Sequence, residues 1–167
     1  MILGRVAISI VFLFCIAKAP AQSLGIYRLP PFERGVACIK YFEGLHQMKD
    51  YPYVGYGHRI QSGEHFNLPL DKRQAEALLR QDLRKLCRMF RAYGRDSLLL
   101  ACLSYNCGSA KVLGGQGYKK SRLLRRIEAG DRNILADYLS FCHYKGKHHS
   151  GIWRRRWMEY QLLCADL

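Results

Sequence analysis

One stretch in the first third of the chain joins a helical pattern to a short extended ribbon. Phe32, Val36 and Ile39 have the spacing of one apolar helix face, and this pattern runs on to Glu43. The ribbon 51–57 comes soon after, and in it tyrosines alternate with proline, valine and glycine. Glycines in an extended segment are typical of places where the backbone approaches a neighbour closely. The chain therefore has to turn from a helix into a hairpin shortly after Glu43.

Glu43 is the candidate acid of this stretch. A glutamate that ends a helix packed on Ile39, Phe42 and Leu45 is partly removed from water, and such an environment favours the protonated acid. A protonated carboxyl in a cleft can donate its proton to a glycosidic oxygen. The ribbon that follows could form the surface on which an extended sugar chain binds. The same residues also fit a helix that simply ends at Glu43 before an ordinary hairpin.

The residues from Ile39 to Leu45 and from Val54 to His58 are similar to the signature of the phage-type lysozymes, glycoside hydrolase family 24. In that family a helix ends in Glu-Gly, a short hairpin follows, and the segment closes on Gly-x-Gly-His. The sequence resembles most the compact, secreted phage-type lysozymes of Bacteroides-like bacteria, over a region from Arg34 to Cys164. The resemblance implies a mainly helical, lysozyme-like α+β fold, in which a cleft separates a small hairpin lobe from a helical lobe.

The resemblance also implies an activity, the hydrolysis of the β-1,4 bond between N-acetylmuramic acid and N-acetylglucosamine in peptidoglycan. Glu43 would be the general acid, and a water would attack from the opposite face with inversion, held by a group about 6.5–9.5 Å from the acid. Family members use an aspartate and a threonine of the hairpin for this purpose. Here Asp50 follows Glu43 after a shorter interval than in the family, and Tyr53 occupies the threonine position. Both are candidates, although Asp50 also fits an exposed turn.

Three further residues are candidates by the same resemblance. His58 matches a family histidine that usually bonds to a carboxylate of the next helix, where Glu76 and Asp82 are the expected partners. Tyr56 in the ribbon and Asn106, at the end of an apolar helix, are candidates for binding the sugar. Asn106 equally fits a residue that caps its helix.

The rest of the chain is predicted to be mostly helical, from apolar residues at helical spacing and from capping residues. The expected helices are 71–94, 96–107, 122–129, 131–141 and 152–163. The second of these is apolar on nearly all sides and should be the buried centre of the fold. The last is expected to turn its large apolar side chains toward the core, namely Trp157, Tyr160, Leu163 and either Ile152 or Trp153.

Residues 1–21 have the pattern of a secretory signal peptide. Arg5 precedes a short apolar run, and the run ends in an Ala-x-Ala site at Ala21. We therefore expect export to the periplasm or the cell exterior, a lead-in segment over 22–33 and a catalytic domain over 34–167. An uncleaved anchor and a lipoprotein signal are the alternatives at this end, although the apolar run is short for a membrane span.

The chain is strongly basic, with 27 Lys and Arg against 13 Asp and Glu and a formal net charge of +14. Such an excess predicts an anionic partner. For an exported protein the nearest anionic partners are peptidoglycan, anionic wall polymers and the membrane surface, and nucleic acid is not among the expected partners. We expect a monomer that acts on the glycan strands of peptidoglycan.

Six cysteines follow the signal segment, namely Cys38, Cys87, Cys102, Cys107, Cys142 and Cys164. An even number in an exported protein is compatible with disulfides. Several of these cysteines, however, lie among apolar residues at helical spacing, which favours buried free thiols. No Cys-x-x-Cys pair occurs, and His148-His149 lacks the spacing of a zinc site, so neither a metal nor another cofactor is expected.

Three other functions fit the sequence. A lytic transglycosylase would cleave the same bond with one glutamate and no attacking water. A cationic wall-binding or antimicrobial protein would use a lysozyme scaffold without catalysis. A Cys/His amidase would need a cysteine that meets a histidine such as His46, His58 or His65. Only the transglycosylase leaves anhydro ends on its products, which separates it from a hydrolase.

Overall fold

The computed structural model describes residues 25–164, so the predicted signal peptide, 1–21, lies outside the described residues. The helices are Pro31–Glu43 (α1), Lys72–Met89 (α2), Ser97–Cys107 (α3), Ser109–Leu113 (α4), Arg122–Glu128 (α5), Leu135–Leu139 (α6) and Ser150–Cys164 (α7). The strands are Tyr53–Val54 (β1), His58–Arg59 (β2), His143–Tyr144 (β3) and Lys147–His148 (β4). This mainly helical content with small hairpins confirms the predicted α+β class.

Helix α3 is the centre of the core, as its composition predicted. Five consecutive residues of this helix, 99–103, are almost completely buried. The helix packs against α1, α2 and α7, so apolar surface is covered on several sides. It ends at Gly108, where φ is +85°, a value that glycine adopts without the strain that a side chain would add.

The small lobe lies between α1 and α2 in sequence. It contains a 3₁₀ turn, Met48–Asp50, and an antiparallel hairpin in which Tyr53 pairs with Arg59 and Val54 pairs with His58. Helix α2 then begins after the predicted capping residue Asp71, whose Oδ1 accepts a hydrogen bond from the Gln74 backbone N–H at 2.7 Å. Since α2 also packs along α3, it connects the hairpin lobe to the helical lobe.

Helix α1 begins at Pro31, inside the segment that was expected to be a lead-in. Proline is well tolerated in the first turn of a helix because the backbone N–H there has no partner within the helix. Arg34 in the next turn is buried and donates hydrogen bonds to the backbone carbonyls of Tyr27, Leu29 and Leu162. The residues before α1 are thereby fastened to α1 and to the end of α7.

Two predicted elements at the C-terminal end are corrected. The expected helix 131–141 is reduced to Leu135–Leu139, because the Asp131 side chain accepts a hydrogen bond from the Asn133 N–H and holds a turn there. Residues 142–149, expected as a loop, contain the β3–β4 hairpin, in which His143 pairs with His148. Helix α2 is also shorter than predicted and ends at Met89.

Helix α7 is buried only in part by the side chains that its sequence suggested. Trp157 was predicted to pack inward and is instead 40% exposed, and of the alternatives Ile152 and Trp153 only Ile152 is partly buried, since Trp153 is also 40% exposed. Tyr160 and Leu163 are partly buried and pack against the core, as predicted. The buried side of α7 instead carries Arg155, Arg156 and Glu159. A buried charge is tolerated only when it is paired, so this side has to meet partners of opposite charge.

The six cysteines from Cys38 to Cys164 are free thiols, in agreement with the expectation, and three of them are buried. Among the described residues, no helix has both the length and the apolar character that a bilayer crossing requires.

Candidate active site

Glu43 is the last residue of α1, at the point where the chain leaves the helical lobe for the hairpin lobe. Gly44 ends the helix with φ at +66°, and its N–H still bonds to the Lys40 carbonyl at 3.1 Å. The side chain of Glu43 is 20% exposed. The carboxylate is therefore largely enclosed, yet it remains accessible from a cleft.

The backbone at Gly57 forms one wall of the Glu43 site. A Cβ atom added at Gly57 would lie 3.3 Å from both Cδ and Oε2 of Glu43, closer than ordinary van der Waals contact. Gly57 also has φ at +97°, a conformation that L side chains rarely adopt. Glycine at this position is thus required both by the turn and by the close approach of the carboxylate.

Arg155 of α7 holds the other side of Glu43. Its Nη1 donates a hydrogen bond to Glu43 Oε1 at 2.6 Å, and its side chain is only 5% exposed. The guanidinium carbon also lies 5.7 Å from the centre of the Phe42 ring. A charge-assisted hydrogen bond in so enclosed a place fixes the orientation of the carboxylate.

A buried charged cluster supports Arg155 from behind. Arg155 Nε donates to Glu159 Oε1 at 2.9 Å, while Glu159 Oε2 accepts from Arg156 at 2.7 Å and from the Tyr138 hydroxyl at 2.8 Å. With Glu43 the cluster contains two arginines and two glutamates, so its formal charges cancel. Burial lowers the pKa of the Arg155 guanidinium, but the charges of Glu159 and Glu43 outweigh this effect and raise it, so Arg155 stays charged.

Two cavities lie on either side of the Glu43 site. One, of about 580 Å³, runs along the hairpin and α2, and its lining includes Tyr53, Gly57 and His58. The other, of about 410 Å³, lies between the end of α1 and the start of α7, and its lining includes Arg155. Glu43 contacts Gly57 on one side and Arg155 on the other. Glu43 therefore touches one lining residue of each cavity, although it is not itself among the lining residues of either.

Asn106 is the one residue that lines both of these cavities. Its Oδ1 accepts a hydrogen bond from Arg156, which links α3 to the charged cluster of α7. Because this bond fixes the amide oxygen, the Nδ2 group is left as a donor for a ligand. The position agrees with the predicted sugar-binding role of Asn106, and that role stays a prediction.

The structure separates the two candidates for the water-holding group. Tyr53 is 45% exposed and lines the larger cavity together with Gly57. Asp50 lies in the 3₁₀ turn, where its Oδ2 accepts a hydrogen bond from the Gln47 backbone N–H at 2.7 Å. Asp50 lines neither of the cavities beside Glu43. Of the two residues, only Tyr53 lines a cavity beside Glu43.

Tyr56, the other predicted sugar-binding residue, is part of the hydrophobic core. It is 7% exposed, and the Lys40 ammonium lies 5.3 Å from the centre of its ring. The Tyr105 hydroxyl donates a hydrogen bond to the Tyr56 backbone carbonyl at 2.9 Å. Burial leaves the Tyr56 ring little surface for a sugar, and the residue instead anchors the hairpin on α3.

His58 joins three parts of the chain. Its Nδ1 lies 2.7 Å from Asp82 Oδ2 on α2, and its Nε2 lies 2.8 Å from Glu64 Oε2 in the loop after the hairpin. Burial lowers the pKa of the His58 imidazole, but the hydrogen bonds to Glu64 and Asp82 outweigh it, so the pKa is raised above its ordinary value. Of the two expected partners, Asp82 is the one that bonds, which agrees with a structural role.

A cysteine nucleophile is not supported by the arrangement of the described thiols. Cys142 has the closest histidine, with its Sγ 3.8 Å from His143 Nδ1, but this thiol is 3% exposed. The same Nδ1 lies 3.1 Å from the Ser140 carbonyl, so it carries the proton and donates it there. Among residues 25–164, no group of three or more His, Cys, Asp or Glu side chains is placed to hold a metal ion.

The buried cluster of α7 is the part of the site that the sequence analysis did not identify. Arg155 and Glu159 have the i, i+4 spacing of an ion pair on one helix face, and this was the available signal. It was overlooked because such pairs are usually exposed. Gly57 belonged to the quoted motif, but its contact with Glu43 is visible only in the structure.

Comparison with known proteins agrees with this geometry. No curated protein matches the chain significantly. Among solved structures, the muramidase domain of SpmX from Asticaccaulis excentricus is similar with a TM-score of 0.62 and 24% sequence identity, over 77% of this chain and 93% of that chain, which shows the fold. Residues 40–159 match the family model of phage lysozyme. The match begins three residues before Glu43 and ends at Glu159, so it spans the whole site, and the chain belongs to the phage lysozyme family.

Proposed function

We propose that this protein is a muramidase of glycoside hydrolase family 24, which hydrolyses the β-1,4 bond between N-acetylmuramic acid and N-acetylglucosamine in peptidoglycan. The observation that carries the proposal is the position of Glu43, a largely enclosed carboxylate held between Gly57, which lines the cavity along the hairpin and α2, and Arg155, which lines the cavity between α1 and α7. Clefts of this kind can hold several sugar units of a glycan strand. Glu43 is the general acid of the reaction.

The two oxygens of Glu43 have different surroundings, which suggests how the proton is delivered. Oε1 accepts the hydrogen bond from Arg155, whereas Oε2 lies against the Gly57 backbone. No side chain in the described part of the chain donates to Oε2. Oε2 is therefore the oxygen that passes a proton to the glycosidic oxygen while the bond to the anomeric carbon breaks.

An attacking water completes the hydrolysis and needs its own hydrogen-bond partner. Glu64 and Asp82 are carboxylates in the lining of the larger cavity, but both are bonded to His58. Tyr53 lines the same cavity with an exposed side chain, so its hydroxyl is the better-placed partner for the water. Asp50 remains the alternative by family resemblance, and Tyr53→Phe and Asp50→Asn distinguish the two.

The bonds that occupy Glu64 and Asp82 favour a second candidate activity, that of a lytic transglycosylase. Such an enzyme uses one carboxyl group, and the 6-hydroxyl of N-acetylmuramic acid replaces water as the nucleophile at the anomeric carbon. The glycosidic oxygen takes up a proton, the hydroxyl loses one, and the product is a 1,6-anhydro sugar. A cleft in which the carboxylates other than Glu43 are occupied is compatible with this chemistry.

Mass spectrometry of purified peptidoglycan digested by the protein tests the proposal. We expect muropeptides with reducing ends, and a loss of about 10²-fold or more in their rate of release for Glu43→Gln. Glu128→Gln is the matched control, because Glu128 is a surface carboxylate at the end of α5 that pairs with Lys120 and lines neither cavity beside Glu43. Anhydro ends would identify the transglycosylase instead, and full activity of Glu43→Gln would exclude Glu43 as the acid.

The biological setting of the enzyme follows from features of the sequence and belongs to the same proposal. We place the mature protein in the periplasm or outside the cell, as a monomer, after removal of residues 1–21. Its basic charge supports binding to anionic components of the cell envelope in addition to peptidoglycan. Membership of the secreted, Bacteroides-like subgroup is likewise proposed from the hairpin motif.

A further inference from the structure

The segment from the β3–β4 hairpin to the middle of α7 is exposed, basic and aromatic. Residues 140–158 contain no aspartate or glutamate, and Glu159, the next acidic residue, is fully buried. The exposed side chains of this segment include three cations, Lys145, Lys147 and Arg154. No exposed carboxylate of the same segment offsets their charge.

Two tryptophans add an apolar feature to this basic segment. Trp153 and Trp157 are one helical turn apart, so they lie on one face of α7. Their rings are stacked, with centroids 5.9 Å apart and planes 7° from parallel, and each residue is 40% exposed. Tyr144 in the preceding hairpin is 60% exposed. Exposed aromatic groups that cluster in this way are typical of interaction surfaces.

The distribution of side chains around α7 makes this exposure notable. The helix buries the charged residues Arg155, Arg156 and Glu159, whereas both tryptophans keep 40% of their surface exposed. Packing in the core therefore does not account for the tryptophans. An indole that is half apolar and half polar is most stable at a boundary between water and an apolar phase.

We propose that Trp153, Trp157 and the neighbouring cations form a site that binds the surface of an anionic lipid bilayer. The indoles would enter the boundary between headgroups and acyl chains, while Lys145 and Lys147 of the hairpin contact anionic headgroups. Arg154 lines the cavity beside Glu43 and is not counted in this site. Stable attachment to a bilayer usually needs two signals, an apolar insertion and a basic patch, and this segment supplies both. This binding does not depend on the proposed catalysis.

A soluble polyanion, such as a wall polymer, is the competing partner, and the tryptophans argue against it. Cations alone would bind a polyanion, and stacked indoles would add nothing to that attraction. The lipid surface is the partner that uses the cations and the indoles together.

The protein contains only two tryptophans, and both belong to this site, so tryptophan emission, excited selectively over the 11 tyrosines, reports on this site. The test titrates the full-length mature protein with vesicles of phosphatidylcholine, and with vesicles of equal parts phosphatidylcholine and phosphatidylglycerol. We expect a blue shift of the emission, and quenching by brominated acyl chains, only with the anionic vesicles. Binding should weaken as salt rises, because the cations act through screened electrostatics.

Sedimentation with the same anionic vesicles separates the two signals. The double variant Trp153→Ser/Trp157→Ser should bind at least about tenfold more weakly, since it removes the inserted apolar surface. Lys145→Gln/Lys147→Gln should bind about tenfold more weakly. The matched control is Lys72→Gln/Arg73→Gln, which removes the same charge from exposed positions of α2 and should change binding by about twofold at most.

Several outcomes would overturn the proposal. An unchanged emission spectrum with anionic vesicles would show that the indoles do not enter the bilayer. Full binding by the tryptophan double variant, with loss of binding in Lys145→Gln/Lys147→Gln, would indicate a site for polyanions. An equal loss of vesicle binding in the α2 control variant would show that binding depends only on the overall charge of the protein. Circular dichroism of each variant checks that the helical fold is retained.

Discussion

Replacement of Gly57 by alanine should impair catalysis through a direct contact with the candidate acid. The new Cβ would lie 3.3 Å from Cδ and Oε2 of Glu43, tighter than most real Cβ contacts. Glu43 cannot simply turn away, because Arg155 holds Oε1 at 2.6 Å in an enclosed place. The carboxylate therefore has to shift by a few tenths of an ångström, or the hairpin has to move.

The size of the effect follows from two separate contributions. Alanine at a φ of +97° costs about 1 kcal/mol of stability relative to glycine. A misplacement of about 1 Å in an active site can reduce the rate by about 10²-fold. A shift of a few tenths of an ångström should then lower kcat/KM by about tenfold, which corresponds to about 1.4 kcal/mol of transition-state stabilisation.

Gly63→Ala is the matched control for this prediction. Gly63 also lies in the hairpin lobe with a positive φ, +85°, but no atom lies within 4 Å of its added Cβ. Both variants should lose similar stability in urea denaturation, whereas only Gly57→Ala should lose activity in a peptidoglycan turbidity assay. Equal activities of the two variants, at temperatures where both are folded, would refute the proposed contact with Glu43.

Two further predictions concern other titratable groups. His58 has a pKa raised in the folded state, so its protonation stabilises the fold fully below its unfolded pKa of about 6.5, and this stabilisation is lost as pH rises through the higher folded-state value. His58→Gln should therefore lower the free energy of unfolding by about 2 kcal/mol near pH 6, mainly through loss of the bond to Asp82, and by less near pH 9. Urea unfolding of both proteins across this pH range measures the difference. A difference that does not change with pH would count against the ion pairs. The thiols of Cys107 and Cys164 have pKa values raised to about 11, first of all by burial. At pH 8 these two thiols should react with iodoacetamide more slowly in the native protein than after unfolding in guanidinium. Equal rates, read by mass spectrometry, would contradict the partial burial of the two thiols.

Local sequence patterns were sufficient to predict the elements that are stabilised by contacts between near neighbours in the chain or by a strongly apolar composition. The capping residues at Asp71 and Gln74 predicted the start of α2, and the wholly apolar run of α3 predicted the buried centre. In both cases the deciding contacts lie within a few residues or depend on hydrophobicity alone. The candidate acid, Glu43, was likewise identified from the helix end and the Gly-Tyr-Gly-His close.

The β3–β4 hairpin was missed because its turn lacks the usual residues. Lys145 and Gly146 form the two-residue connection, with φ values of +48° and +76°. Asn-Gly or Asp-Gly is the common signal for such a turn, since asparagine and aspartate tolerate positive φ better than lysine does. Nothing in the local sequence therefore distinguished this hairpin from a basic loop.

The sequence by itself determined the family motif, the helix that carries Glu43, the hairpin that follows it and the helices with clear apolar faces. Only the tertiary structure decided which side of α7 is buried, because Arg155 and Arg156 can enter the core only where Glu43, Glu159 and Asn106 meet them. It also decided that Tyr53, and not Asp50, lines the larger cavity beside Glu43. Those outcomes depend on partners far apart in the chain, whose charges and shapes compensate one another, and no periodicity within a single segment contains that information.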